Sequence, residues 1–309
     1  MNKVFCIIVT YNAMKWVDKC FSSLRESSVP IYPVVVDNCS KDETVEYIRN
    51  HYPEAYIIVN SVNRGFGQAN NQGIEYAYKE GGTHFFLLNQ DAWIHPDTVE
   101  KLVFVQDKYQ IALVSPIHLN GPGTNYDYSF YRKIIVDEDN ITYVSDLCLN
   151  SLKDYYPVFK INAAAWMLSR KAIENIGGFD PIYFHYGEDG NYCQRLHYHN
   201  EQCVFVPNSY IHHDRIRQGN MTVYKKQSTI MWFLFNYCDV NTPFFKPTRA
   251  KLIMHLYNLK TLFVLLFTFK IKELCDFVSA HFEFLFKLPQ VKTSISNNKK
   301  LKANWLDLS

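Results

Sequence analysis

The chain has 309 residues, of which 48% are hydrophobic and 20% charged, with a formal net charge of +2. This length and balance suit one large α/β domain with an appendage, and they exclude a disordered, collagenous or low-complexity chain. So small a net charge gives no global reason to expect nucleic acid, and the basic clusters Lys225-Lys226 and Lys299-Lys300 with Lys302 read as solvated faces. Among the eight cysteines there is no C-x-x-C pair, so neither a zinc ribbon nor a thioredoxin-like motif is supported. Cys6, Cys20 and Cys203 lie in apolar patterns and read as reduced core residues. Met1-Asn2-Lys3 runs straight into an apolar segment with no cleavage site behind it. A cytosolic location is therefore expected, with the sequons at Asn140 and Asn220 as chance matches.

Val4 to Val9 is a continuous apolar run, as expected of a strand covered on both faces, and it breaks at Thr10-Tyr11-Asn12. Val17, Cys20, Phe21 and Leu24 then share one face of a helix. A second run, Tyr32 to Val36, stops at Asp37-Asn38-Cys39-Ser40, where Ser40-x-x-Glu43 reads as a capping box opening a helix through Ile48. The third run, Tyr56 to Val59, leads into Asn63-Arg64-Gly65-Phe66-Gly67 and a helix carrying Ala69, Ile74 and Ala77. As a dinucleotide fingerprint this loop is poor: Asn70 replaces the third glycine, and the loop does not follow the first strand. A turn that lets backbone approach a ligand accounts for it better; the plainer alternative is a Gly-rich helix entry. Phe85 to Leu88 is a fourth strand, and Asn89-Gln90-Asp91 at its end puts a hard oxygen ligand at the rim of the sheet. Strands and helices alternate, which predicts a mainly parallel sheet flanked by helices.

Residues 116 to 159 form a polar, aromatic-rich insertion with Gly121-Pro122-Gly123, Tyr126, Tyr128, Tyr131 and Tyr155-Tyr156. In a chain with 16% aromatic residues these, like Trp93 and Trp166, are expected to be packing and surface residues. Gly177-Gly178-Phe179-Asp180 precedes Gly187-Glu188-Asp189 at the head of a helix through Cys193, Leu196 and His197. Two acids there suit the helix dipole, yet one can be held while the other stays free as a general base. Ser209, Ile211 and His213 alternate after Pro207, and a one-residue register slip would exchange His213 for His212. From about Val223 the pattern turns helical. The run Leu262 to Phe269 is far short of the ~20 residues of a spanning helix. An amphipathic face there could lie on a membrane surface; packing on the catalytic domain or in a homo-oligomer interface is the plainer expectation.

Together, Val9-Thr10-Tyr11-Asn12, Asp37-Asn38-x-Ser40-x-Asp42, the series Asn63, Gly65, Gly67, Ala69, Asn70 and Gly73, Leu87-Leu88-Asn89-Gln90-Asp91, Gly177-Gly178-Phe179-Asp180 and Gly187-Glu188-Asp189 resemble glycosyltransferase family 2. The likeness is strongest to its rhamnosyltransferase-like branch. It implies a GT-A fold over residues 1–240, with a nucleotide-binding half to about 115, an acceptor-binding half over 116–240, and a C-terminal helical region over 241–309. It also implies inverting transfer from a UDP- or dTDP-sugar, dTDP-rhamnose among them, to a glycan or lipid-linked acceptor of surface polysaccharide, with Mg²⁺ or Mn²⁺. Thr10, Tyr11, Asn12, Asp37, Asn63, Arg64, Gly65, Gly67, Asn70 and Asn89 would line the nucleotide, with Asp37 accepting from a pyrimidine N3–H. Asp91 would ligate the metal, with His213 or His212 as second ligand. Asp189 would be the general base and Glu188 its orienting neighbour. Asn89-x-Asp91 departs from the wider family's D-x-D, so metal binding should rest on Asp91 and the diphosphate. The rivals are a non-catalytic sugar- or nucleotide-binding module on the same fold, and a nucleotidyltransferase. A location in the cytoplasm, at the inner face of the cell membrane, completes the expectation.

Overall fold

A computed structural model describes residues 2–215 and 226–309. Asn220, Val223 and Lys225 lie outside them. In chain order the elements are β1 (Val4–Thr10), α1 (Val17–Arg25), β2 (Ile31–Asp37), α2 (Thr44–His51), β3 (Tyr56–Val59), α3 (Phe66–Lys79), β4 (His84–Leu88), β5 (Ala92–Ile94), α4 (Thr98–Tyr109) and β6 (Leu113–Asn120). There follow α5 (Tyr128–Phe130), α6 (Ile141–Cys148), β7 (Tyr156–Pro157), β8 (Ala165–Ser169), α7 (Arg170–Asn175), α8 (Glu188–Tyr198), β9 (Cys203–His213), α9 (Lys226–Tyr237), α10 (Arg249–Phe267) and α11 (Ile271–Asn298).

Among the described residues, nine strands join one sheet in the order β3-β2-β1-β4-β8-β6-β9-β5, with β7 beside β9. β3, β2, β1 and β4 are parallel. Beyond them the sheet is mixed: β8 runs antiparallel to both β4 and β6, whereas β9 is parallel to β6. A mainly parallel sheet thus describes the N-terminal half. Because β8 reverses direction between β4 and β6, the chain leaves β1, β2, β4, β6 and β9 at the same rim.

The apolar runs are buried for the reason their composition gives. Ile7, Ile8, Val34 to Val36 and Phe85 to Leu88 are covered on both faces. One core lies beneath α3, α7 and α8, the other beneath α1 and α4. Tyr143 packs edge-on against Tyr156 and Phe205, and Trp166 is fully buried, so these aromatics are core. The eight cysteines are all unpaired. Asn140 donates its amide to Ile134 O.

The capping-box expectation at Ser40 and Glu43 fails. Glu43 makes no side-chain cap, and α2 starts at Thr44, whose N–H and hydroxyl both donate to Asp42 Oδ1. Ser40 turns back to Asp37 instead: its N–H and hydroxyl both donate to that carboxylate, and its Oγ accepts Asn12 N–H, so it does not cap the N–H groups at the start of α2. A second difference concerns α10. The helix continues well before Leu262, and over its 19 residues it is long and apolar enough to cross a membrane.

The C-terminal helices form a layer with their own apolar centre, in which Ile230, Phe233 and Leu234 of α9 meet Met254, Ala280, Phe284 and Val291. That layer begins at α9, earlier than residue 241. Buried Asp180 ties it to the sheet by accepting from Ser294 Oγ at 2.5 Å and Asn298 Nδ2 at 2.7 Å. The final residues return to α3, where Asn71 Nδ2 donates to Trp305 O and Glu75 accepts from Asp307 N–H.

Candidate active site

Strand ends build the site. At the end of β1, Thr10 donates its hydroxyl to Asp37 Oδ1 at the end of β2, 2.9 Å away. Asp37 also accepts from the Ser40 hydroxyl and, through Oδ2, from Ser40 N–H at 2.9 Å. Three of the roughly four acceptor positions of this buried carboxylate are therefore engaged, which leaves one on Oδ2. Asn12 takes a left-handed conformation (φ 51°), donates its own N–H to Ser40 Oγ and accepts Lys41 N–H through Oδ1. Gln90 clamps the exposed Tyr11, accepting from its N–H at 2.7 Å and donating to its carbonyl at 3.2 Å. That clamp holds the β1 end beside the turn carrying Asp91.

The loop before α3 is shaped by asparagines. Asn38 Nδ2 donates to Asn63 Oδ1 and to Gly65 O, while Asn38 Oδ1 accepts Arg64 N–H. Arg64 is exposed beside this ladder. Gly65 has φ 81°, and a Cβ there would lie 2.0 Å from Phe184 O. A Cβ on Gly67 would lie 2.8 Å from Phe179 Cβ and 3.7 Å from Glu188 Cβ. The glycines thus admit the chain's own second half, and so bring the loop before α3 against Phe179, Phe184 and Glu188. Asn70 donates to Phe66 O one turn back and closes the helix start.

At the end of β4, Asn89 N–H donates to Ala164 O, and Asn89 Oδ1 is buried without a partner. Asp91 Oδ1 lies 3.3 Å from His213 Nε2, and Asp91 O accepts Asp214 N–H at 2.8 Å. On the other side of His213, Nδ1 lies 3.6 Å from Asp127 Oδ2. His212 faces away: its ring stacks on Trp93, and its Nε2 lies 3.1 Å from His95 Nε2. Of the two histidines, the structure brings only His213 to Asp91. Burial pulls the His213 imidazole down, but the carboxylates of Asp127 and Asp91 outweigh it and raise it to about 9. Burial and the His213 charge push the neighbouring His118 down to about 3.

Asp127 escaped the sequence reading. It looks like a local cap, and indeed accepts Ser129 and Phe130 N–H, but burial beside His213 is set by long-range packing. An anionic oxygen from Asp91 and, once it gives up its proton to the bound cation, a ring nitrogen from His213, with the orphaned Asn89 Oδ1 beside β4, fit a divalent cation held jointly with a diphosphate. No group of three or more His, Cys, Asp or Glu able to hold a metal alone occurs among the described residues.

Glu188 and Asp189 open α8 after Gly187, which has φ 95°. Glu188 is buried with Oε2 unpartnered; burial, helped by the Asp189 charge, pushes its carboxyl up to about 8. Asp189 is half-buried, and its Oδ1 accepts Gly190 N–H at 2.6 Å. Lys160 Nζ lies 3.2 Å from where a Gly190 Cβ would be. Lys133 donates to Asn162 Oδ1 at 2.7 Å, and its ammonium is lowered mainly by burial, against the pull of Asp189. The raised Glu188 carboxyl predicts a pH signature. Between about 4.5, its ordinary value, and about 8, the folded protein keeps a proton that the unfolded chain has lost. Stability should therefore fall as pH rises through that window. Glu188→Gln removes this contribution, so its melting temperature relative to wild type should climb from pH 5 to 8.5. Parallel melting curves across that range would refute the buried, protonated Glu188.

The model of the family described as Glycosyl transferase family 2 matches residues 5–177, more than half of the chain, so the acid pair and His213 lie beyond the matched range. The dTDP-rhamnosyl transferase RfbF of Shigella flexneri is 22% identical over 277 residues, covering 86% of this chain and 80% of RfbF. Rhamnosyltransferase WbbL of Escherichia coli is 26% identical over 228 residues, 68% of this chain and 84% of WbbL. Among solved structures, S. aureus TarS 1-349 aligns with a TM-score of 0.57 at 14% identity over 96% of this chain and 80% of that one. The mannosyltransferase PcManGT of Pyrobaculum calidifontis, in complex with GDP-Man and Mn²⁺, aligns with a TM-score of 0.58 at 17% identity over 90% and 73%. These structures share the GT-A fold, the two sequence relatives match the rhamnosyltransferase-like resemblance, and the chain belongs to glycosyltransferase family 2.

Proposed function

We propose that the protein transfers one sugar, with inversion, from a UDP- or dTDP-sugar to a hydroxyl of a glycan or lipid-linked acceptor in surface polysaccharide assembly, on the cytoplasmic side of the membrane. The observation that carries this reading is the convergence at one rim of Asp37, Asp91 and His213, with Glu188, the neighbour of Asp189, packed against the glycine loop from the second half. In this reading Thr10, Tyr11, Asn12, Asp37 and residues 63–67 form the nucleoside wall, and the free lone pair of Asp37 Oδ2 accepts a pyrimidine N3–H. Asp91 and His213 hold Mg²⁺ or Mn²⁺ together with the diphosphate. The cation, when bound, neutralises charge developing on the departing diphosphate. Asp189 takes the acceptor hydroxyl's proton as that oxygen attacks the anomeric carbon opposite the leaving group, and Glu188 orients the site.

A donor-hydrolysis screen over UDP-, dTDP- and GDP-sugars with either metal tests the proposal directly. Release of pyrophosphate instead of nucleoside diphosphate would point to nucleotidyl transfer and overturn it. Asp37 gives a sharper check. Calorimetry should find UDP or dTDP tighter than GDP, and Asp37→Ala should weaken that binding by about 1–3 kcal/mol, the cost of a charge-assisted hydrogen bond. The same variant should also melt lower, because Thr10 and Ser40 lose their shared acceptor. GDP binding equal to or tighter than UDP would remove Asp37 as the base reader.

A further inference from the structure

α10 is inside out. Its packed stripe, against α9 and α11, consists of Lys251, Met254, Asn258 and Leu265, two of them polar. Lys251 Nζ donates to Pro243 O and Phe244 O, and the Asn258 amide nitrogen is buried without a partner. The opposite stripe carries Leu252, Ile253, Leu256, Phe263 and Phe267, all exposed. At the turn into α11 the apolar surface widens, with Phe267, Phe269 and Ile271 at 78%, 85% and 72% exposure. A helix that leaves most of its apolar side chains in water, while spending half of its packed stripe on Lys251 and Asn258, is the reverse of what burial in a water-soluble fold favours.

The charge of this surface indicates what covers it. From Val240 to Lys272 the chain holds Lys246, Arg249, Lys251, Lys260, Lys270 and Lys272, and no Asp or Glu. We propose that α10 and its turn into α11 dock on an anionic lipid bilayer, with Phe263, Phe267 and Phe269 entering the headgroup–acyl boundary and Lys260, Lys270 and Lys272 meeting lipid phosphates. A second copy of the chain suits the face poorly, since a two-fold contact would set these lysines against each other, with Glu273 and Asp276 of α11 the nearby acids against Lys260, Lys270 and Lys272. The helix lies flat and does not span: Lys260 interrupts its exposed stripe, and the Lys251–Asn258 stripe is fixed on the protein. α9, beneath α10, also packs on α8, where Gly190 meets the Phe235 ring and Gly187 meets Met231. Docking therefore brings the helix that carries Glu188 and Asp189 towards the lipid surface. This inference stands apart from the transfer reaction and does not depend on it.

Flotation of the full chain with vesicles of phosphatidylcholine alone, or of phosphatidylcholine with phosphatidylglycerol, tests it. Wild type should float with the anionic vesicles, far less with neutral ones, and less as salt rises. The triple change Phe263→Ser, Phe267→Ser and Phe269→Ser, and separately Lys260→Glu, Lys270→Glu and Lys272→Glu, should each cut binding by at least ~10-fold. Melting temperatures should be unchanged, since these side chains are exposed. Absence of flotation, or flotation undiminished in both variants, overturns the proposal. So does a wild-type dimer, by sedimentation velocity, that the serine variant dissociates while vesicles are ignored.

Discussion

Asp189→Asn is expected to leave donor nucleotide affinity near normal and to lower sugar transfer by roughly 10²–10⁴-fold, the usual cost of losing a general base. The amide keeps the side chain's shape and can still accept Gly190 N–H, so the start of α8 is preserved. It cannot take a proton at neutral pH. Glu188 differs in kind, because it is buried against the glycine loop and holds its own proton until about pH 8. Glu188→Gln should therefore be milder, with a smaller loss of turnover. Transfer rate and nucleotide affinity measured side by side on both purified variants decide the roles. Wild-type turnover in Asp189→Asn with a dead Glu188→Gln would make Glu188 the base. Full activity in both would leave the acids as a helix-start feature and move the chemistry elsewhere.

How much of this was legible in the sequence depended on the range of the forces involved. β1, β2 and β4 could be read because a strand buried on both faces must be apolar throughout, and their last residues could be located because Thr10, Asp37 and Asn89 end those runs abruptly. The alternation Ser209, Ile211, His213 put His213 on one face with the small and apolar residues, but the register, and so the choice between His213 and His212, stayed open. Direction was not legible. Nothing local in Ala165 to Ser169 shows that this strand enters the sheet backwards between β4 and β6. Ser40 misled because a serine before an acid serves helix caps and strand-end turns alike, and the nearer carboxylate won. Asp127 stayed hidden because its partner is 86 residues away in His213. Counting a continuous apolar run from Leu262 made α10 look short, whereas the helix starts at Arg249 and carries further apolar residues before Lys260.

Asp91→Ala should have the other large effect. Asp91 is the one carboxylate of the β4 turn, for Asn89 can offer an oxygen but no charge, and so the variant loses the anionic ligand for the proposed cation. Mn²⁺ should then no longer strengthen UDP or dTDP binding, and transfer should fall by at least ~10². His213→Gln should weaken the metal dependence less, because Asp91 remains. His212→Gln should leave it intact, since that ring is stacked on Trp93 and faces His95. Without nucleotide, metal binding by wild type should be weak, because one carboxylate and one imidazole leave most of a cation's coordination to the diphosphate. Calorimetric titration of nucleotide with and without Mn²⁺, in wild type and the three variants, separates these cases. Metal dependence that survives in Asp91→Ala would exclude Asp91 as the ligand. Loss in His212→Gln but not in His213→Gln would mean that the end of β9 turns the opposite histidine to the metal when donor binds.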